Sequence, residues 1–392
     1  MNSFSYLVPT KVIFGKDALD SLAAELSQYE PNKVLVLYGS GSVVRNGVLK
    51  KVTDILDGSN ISYLAHGGVK ANPVLSFVYS TKDLCLSEKI DFILAVGGGS
   101  VLDTAKAVAH ATANPTIDVW DFFEKGLPIS KSLPVAAVLT ISAAGSETSN
   151  SSVITNEETT QKRGFRNELN RPKFAILNPE FTFTLPKYQV SCGVVDIMMH
   201  TLDRYFARPY DNEITNQIAE AVIRTVMMYG QQAVDNPYDY ESMSEIMWCG
   251  SVSHNGLTGL GSVMDFSPHQ LGHSLSGIYD VAHGASLSVC WGGFAEYVYK
   301  SDVSRFARYA RNVFGLTGDN DEILAKQGIE KTKEFFASLN MPLTITELLK
   351  REPSDDEIEN LAISCSYNKT RKVGTFLPLD YNDMKQIYTS IK

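Results

Sequence analysis

The chain has 392 residues, too many for one compact core, which predicts two domains. Hydrophobic residues make up 44% and charged ones 20%, the balance of a folded protein rather than a disordered one. A formal net charge of −9, with no Lys/Arg block, excludes nucleic acid and anionic membranes as general partners.

The N-terminus, MNSFSYLVPTKVIFG, lacks the basic start and apolar stretch of a signal peptide. The most apolar run, LPVAAVLTISAAG (133–145), is too short to span a bilayer. Five widely spaced cysteines without a CxxC pair fit a reducing cytoplasm better than a disulfide framework.

The first buried strand is KVLVLY (33–38). The loop after it, Gly39-Ser40-Gly41-Ser42, carries none of the acids that select NAD by holding the adenosine ribose 2′-hydroxyl. Its hydroxyl groups and nearby Arg45 suit a 2′-phosphate, so NADP(H) is preferred over NAD(H), the alternative being a plain turn. ISYLA (61–65), the helix 72–89 and DFILAV (91–96) follow. Then Gly97, Gly98, Gly99 and Ser100 lead into a helix over 101–113. Glycines there let backbone approach a phosphate closely, and the helix start offers N–H groups and partial positive charge. The same glycines could also make only a tight turn, because neither GxxxxGK[ST] nor GxGxxG spacing is present. LPVAAVL (133–139) and KFAIL (173–177) complete a strand–helix alternation that implies a parallel sheet covered on both faces. This α/β dinucleotide-binding domain is expected over 1–186.

From 187 to 392 the pattern is helical, with apolar residues three and four apart in 192–207, 213–235 and 240–256. Ser354 is placed to cap a later helix with an acidic first turn. Asp196 and His200 share a helical face among apolar neighbours, and His269 and His273 share another. Five of the seven histidines lie between 200 and 283. One Asp with several His suits a first-row divalent metal, Zn²⁺ or Fe²⁺, better than Ca²⁺ or Mg²⁺. Singly, each could be an ordinary helix contact, and His66, His110 and His254 are read that way.

Taken together these motifs resemble the iron-containing (group III) alcohol dehydrogenases, in the branch of butanol dehydrogenases and NADPH-dependent aldehyde reductases. The resemblance spans essentially the whole chain and rests on KVIFGKDALDSL (11–22), GVKANP (68–73), AVGGGSVLDTAKAVA (95–109), LTISAAGSE (139–147), LNPEFTFTLP (177–186), GVVDIMMHTLD (193–203) and PHQLGHSLSGIYDVAHG (268–284). It implies a dehydroquinate synthase-like architecture, an α/β domain followed by an all-α domain, with the active site in the cleft between them. One divalent metal, Fe²⁺ or Zn²⁺, would be held by Asp196, His200, His269 and His283. His273 would serve catalysis or the nicotinamide side as a proton relay. Gly97, Gly98, Ser100 and Asp103 match the cofactor loop, Thr140 a second contact, and Lys162 a lysine near the nicotinamide ribose. The implied reaction is reversible hydride transfer between NAD(P)(H) and primary alcohols or aldehydes. Glycerol or 1,3-propanediol dehydrogenase is the nearest alternative, and a non-catalytic nucleotide-binding protein a more distant one. A homodimer is implied too, in which the extended segment 4–14 pairs across subunits. Two segments depart from the family pattern: Gly193-Val194-Val195-Asp196-Ile197 around the first ligand, and Ile141-Ser142-Ala143-Ala144-Gly145 before Ser146 and Glu147.

Overall fold

The computed structural model describes residues 1–392 and divides into two compact units. One comprises 7–185 with 237–247; the other comprises 1–6, 186–236 and 248–392.

The first unit contains β1 (Lys11–Phe14), β2 (Val34–Gly39), β3 (Tyr63–Val69), β4 (Phe92–Gly97), β5 (Val135–Leu139), β6 (Ser151–Asn156), β7 (Gln161–Arg166) and β8 (Phe174–Leu177). Six of them form one parallel sheet in the order β1-β8-β5-β4-β2-β3, and β6 and β7 form an antiparallel hairpin. The five strands expected from β-branched runs are all present. Their side chains alternate between two cores, as the two-residue period requires. Leu35, Leu37, Ile93, Ala95, Ala137 and Leu139 face one core; Val34, Val36, Phe92, Leu94, Val96 and Val138 face the other. Both faces are therefore covered, which explains why the strands read as continuous apolar runs.

Two elements go beyond the sequence reading. Residues 11–14, within the segment expected to pair across a dimer, pair on one side with β8 in their own sheet, from Lys11↔Phe174 to Phe14↔Leu177. The β6–β7 hairpin was not foreseen, because QKRGFR (161–166) is polar and largely uncovered, without the apolar alternation of a core strand.

The helix Gly99–Ala113 lies against the sheet through small residues, with Ala105, Ala107, Ala109 and Ala111 all fully buried. His110 lies on it as a core residue, its Nε2 paired with Asn170 Oδ1 at 2.7 Å. Burial pushes its pKa down to about 4 from 6.5. The unfolded chain thus binds a proton that the folded one refuses, so this contribution is intact above about pH 6.5 and lost as pH falls toward about 4. The loss amounts to at most about 3 kcal/mol. Urea midpoints at pH 7.5 and 4.5 should differ less in His110→Gln than in the parent; an equal acid loss in both would contradict this.

The second unit is helical, built from Lys187–Tyr205, Glu213–Asp235, Ser267–Tyr279, His283–Val298, Val303–Phe314, Asp321–Ser338, Ile345–Leu349, Asp355–Cys365 and Tyr381–Ser390, with the end of Tyr240–His254. Ser354 caps Asp355–Cys365 in a capping box with Glu357. Helix Lys187–Tyr205 is the centre of this unit, buried almost continuously from Val190 onward. Beside its end, the rings of Phe206, Trp291, Phe306, Tyr309 and Phe376 pack together. No helix in the chain is long and apolar enough to cross a membrane.

Candidate metal centre and glycine loops

Asp196 and His200 lie one turn apart on Lys187–Tyr205, among Val194, Val195, Ile197, Met198 and Met199, all fully buried. A carboxylate in such a place is expensive without a cation or hydrogen-bond donors. His269, on the first turn of Ser267–Tyr279, brings its ring to 4.4 Å from that of His200, centroid to centroid. The three side chains can each offer a ligand atom with all three atoms within 4.8 Å of one another, and all are buried. His283, the first residue of the next helix, adds Nε2 at 3.7 Å from Asp196 Oδ1.

Hydrogen bonds orient two of the rings. His200 Nδ1 donates to the Asp196 carbonyl at 2.9 Å, leaving Nε2 as the ring's lone-pair nitrogen. His269 Nδ1 donates to the Asp203 carboxylate, which leaves its Nε2 turned toward Asp196 at 3.6 Å. That Nε2 and Asp196 Oδ1 are both buried without a hydrogen-bond partner. Asp196 Oδ1 also lies 3.1 Å from His200 Nδ1 and 3.7 Å from His283 Nε2, so one carboxylate oxygen and three imidazoles converge on a single buried spot, and the donor set fits a divalent metal. Burial pushes the Asp196 pKa up, but the imidazoles of His200 and His283 outweigh it and hold the carboxyl well below its usual range. Burial pushes the His200 pKa down. It pushes that of His269 down too, yet the carboxylates of Asp203 and Asp196 prevail and raise it.

His273 follows His269 by one turn, its ring 6.2 Å from that of His269 and 5.3 Å from that of His283. It borders the donor set without joining the tight group. Sequence reasoning missed three neighbours. Asp203 binds the far side of His269. His254, read as an ordinary helix residue, stacks on His200 at 4.0 Å. Phe266, at φ 57°, touches the rings of His200, His254 and His269, with the Arg204 guanidinium 4.9 Å from its ring centroid. For Asp203 a signal existed: seven residues after Asp196 is two helical turns, hence the same buried face. His254 and Phe266 come from other segments, and no local spacing announces them.

In the sheet unit the loops follow the carboxyl ends of the strands. Connections leave β2 and β4 toward opposite sides of the sheet, so their ends form a topological switch point. Gly39 ends β2 and Ser40, Gly41 and Ser42 follow it, with Gly41 at φ 124°, and Arg45 Nη1 lies 3.3 Å from where a Gly41 Cβ would stand. After β4, added Cβ atoms at Gly97, Gly98 and Gly99 would meet Val101, Ile141 and Ala144 at 2.5, 3.0 and 2.9 Å. These glycines are thus demanded by packing, and they also keep the backbone bare at the helix start. Thr140 N donates to Gly97 O at 3.1 Å, and the Ser100 hydroxyl donates to Ala71 O. Lys162, on β7, donates to Asn72 in the same stretch as Ala71. Asp103 points inward: its carboxylate accepts from Ser146 Oγ at 2.7 Å and Val153 N at 3.1 Å. Beside it Lys106 is fully buried, donating to Ser146 O and Ser151 O, and burial pushes its pKa down to about 8. Asp103 and Lys106 tie the loop and the hairpin to the helix.

A parallel sheet with glycine loops at its switch point, and a helical unit with a buried Asp/His donor set, are the parts that an enzyme using a dinucleotide and a metal requires. Residues 9–179 match the family model for iron-containing alcohol dehydrogenase, and 190–392 match that for the C-terminal part of the Fe-containing alcohol dehydrogenase family. The chain belongs to the iron-containing alcohol dehydrogenase family. It is 37% identical over 390 residues to NADH-dependent butanol dehydrogenase A of Clostridium acetobutylicum, covering 99% of each chain. It is 34% identical over 349 residues to the NADPH-dependent aldehyde reductase YqhD of Escherichia coli, covering 88% of this chain and 89% of that one. Among solved structures, NADH-dependent butanol dehydrogenase A of Thermotoga maritima superposes with a TM-score of 0.95 at 36% identity, covering 100% of this chain and 99% of that one.

Proposed function

We propose that the chain catalyses reversible hydride transfer between NAD(P)(H) and primary alcohols or aldehydes, with Asp196, His200, His269 and His283 holding one divalent metal, Fe²⁺ or Zn²⁺. The observation that carries this is the convergence of ligand atoms from Asp196, His200 and His269, all buried and within 4.8 Å of one another. When bound, the metal supplies a Lewis acid for charge developing on the substrate oxygen, and the nicotinamide supplies or accepts the hydride. The protein's own part is positioning. Asp196 brings the negative charge of the donor set, while His200 and His269 stay oriented by their Nδ1 hydrogen bonds. His273, one turn beyond a ligand, delivers a proton to the substrate oxygen in reduction and removes it in oxidation, a task that suits an imidazole near neutral pH. Gly97, Gly98, Gly99 and Ser100 take the pyrophosphate at the helix start. Thr140 and Lys162 hold the adjoining part of the cofactor.

Anaerobically purified protein should contain about one metal ion per chain and should oxidise NAD(P)H with butanal, read at 340 nm. Glycerol and 1,3-propanediol belong in the same panel as comparators. Metal-loaded protein that turns over no aldehyde or alcohol with either cofactor would overturn the reading.

We further infer that NADPH is preferred to NADH. The loop 38–42 has no carboxylate to repel a 2′-phosphate, and the Arg45 guanidinium lies over Gly41. The named relatives include both NADH- and NADPH-dependent enzymes, so the β2 loop is where the choice is tested. Arg45→Ala should lower kcat/KM for NADPH by roughly tenfold or more, as expected for losing a charge-assisted contact, and leave NADH within about twofold. A parent enzyme faster with NADH would sink it. A homodimer in the cytoplasm completes the proposal: β1 leaves one sheet edge without a strand, beside exposed Leu7 and Phe14. The mass of the protein in solution tests the dimer.

A further inference from the structure

We propose that Asp203 is a positioning residue for the metal centre, fixing the proton and the orientation of His269 and adding a negative charge behind that ligand. The proposal rests on the reading of Asp196, His200, His269 and His283 as ligands, and goes beyond it to a residue outside that set.

Asp203 lies two turns after Asp196 on the same helix, its side chain 1% exposed. One carboxylate oxygen accepts from His269 Nδ1; the other, Oδ1, is buried without a hydrogen-bond partner. No purely structural motive explains a carboxylate here, since a buried acid with one partner destabilises a fold more than an apolar residue of its size. Its effect on His269 is specific. A neutral imidazole that donates through Nδ1 presents Nε2 as a lone pair, the form a metal binds, and that Nε2 is the atom turned toward Asp196. A neutral partner would hold the ring less firmly and make Nε2 a weaker donor.

Charge gives a second argument. The ligand set carries a single formal negative charge, from Asp196. Asp203 adds another through His269, which favours a divalent ion more than the ligand set alone would. Without Asp203 the same ion would be less well compensated in a low-dielectric region.

The backbone around Asp203 is held equally firmly. Its carbonyl accepts from Asp265 N at 3.1 Å, just ahead of the His269 helix. The Asp265 carboxylate accepts from Ser267 N at 2.9 Å and from Thr375 N and Phe376 N, both at 2.7 Å. Gly374, at φ 90°, lets that turn come close, because a Cβ there would overlap the Ser267 hydroxyl. The C-terminal turn, Asp265 and Asp203 thus form a bracket for His269.

The test is chelator competition for Zn²⁺ in the full-length protein, with Asp203→Asn and Asp203→Glu beside the parent. Asp203→Asn, equal in size, should bind Zn²⁺ about 10- to 100-fold more weakly, the usual effect of losing such a partner. Asp203→Glu restores a carboxylate and should recover most of that loss, which general loosening of the helix would not allow. Parent-like affinity in Asp203→Asn, or equal weakening in both variants, would overturn the proposal while leaving the ligand set standing. A parent protein that binds neither Zn²⁺ nor Fe²⁺ would overturn the ligand reading itself.

Discussion

Replacing His269 with alanine should leave the protein without bound metal and lower kcat/KM for butanal by at least about a thousand-fold, the scale of losing transition-state charge stabilisation. The ring is 3% exposed and meets two carboxylates: Nε2 faces Asp196 and Nδ1 binds Asp203. Removing it takes away a ligand atom and also strips Asp203 of its donor. An unpaired buried carboxylate costs about 3–5 kcal/mol, so the melting temperature should fall together with the metal content. His273→Ala is the informative comparison. It lies outside the tight donor group, so metal should be retained while turnover falls by about a hundredfold or more, as for a lost proton-transfer group. Full metal content with near-parental alcohol oxidation in His269→Ala would refute the ligand assignment.

Gly284→Ala should be nearly as damaging, although it adds only a methyl group. A Cβ at Gly284 would stand 2.2 Å from the Cys192 carbonyl oxygen and 2.6 Å from its Cα. Both obstacles are backbone of the helix that carries Asp196 and His200, so no rotamer change relieves the overlap. The helix beginning at His283 has to move away, and His283 moves with it. We expect a loss of about 1–3 kcal/mol in stability and much weaker metal binding. Gly58→Ala serves as the control: a Cβ there meets nothing within 4 Å, and its effect should stay within about 1 kcal/mol. Parent-like metal content and stability in Gly284→Ala would show that the two helices do not need this close approach.

Much of this molecule is legible in the sequence because its signals are local. Strands buried on both faces leave continuous β-branched runs, and Asp196–His200 and His269–His273 advertise themselves by one-turn spacing. What stayed hidden depends on contacts between distant segments. The β6–β7 hairpin is polar, and its place is fixed by Val153 N on the Asp103 carboxylate and by Ser152 Oγ on the Asp103 carbonyl. Residues 11–14 look like a free extended arm until β8, some 160 residues later, supplies the edge they join. Asp103 sits in a glycine-loop motif and yet faces the interior, a direction no spacing rule specifies. His254 reaches His200 from another helix altogether, so its lone position in the sequence carried no hint.

The crowding around the β4 loop has an implication for redesign. Gly97, Gly98 and Gly99 are walled in by Val101, Ile141 and Ala144, and the alanines behind them lie flat on the sheet. Substitutions there would disturb the core before they could alter the choice of coenzyme. The β2 loop is less constrained away from Gly41, whose φ of 124° favours glycine: Ser40, Ser42, Val44 and Arg45 are exposed. If the proposed coenzyme seat holds, variation that retunes coenzyme preference has its freest ground at Ser40, Ser42, Val44 and Arg45, with the β4 turn kept fixed.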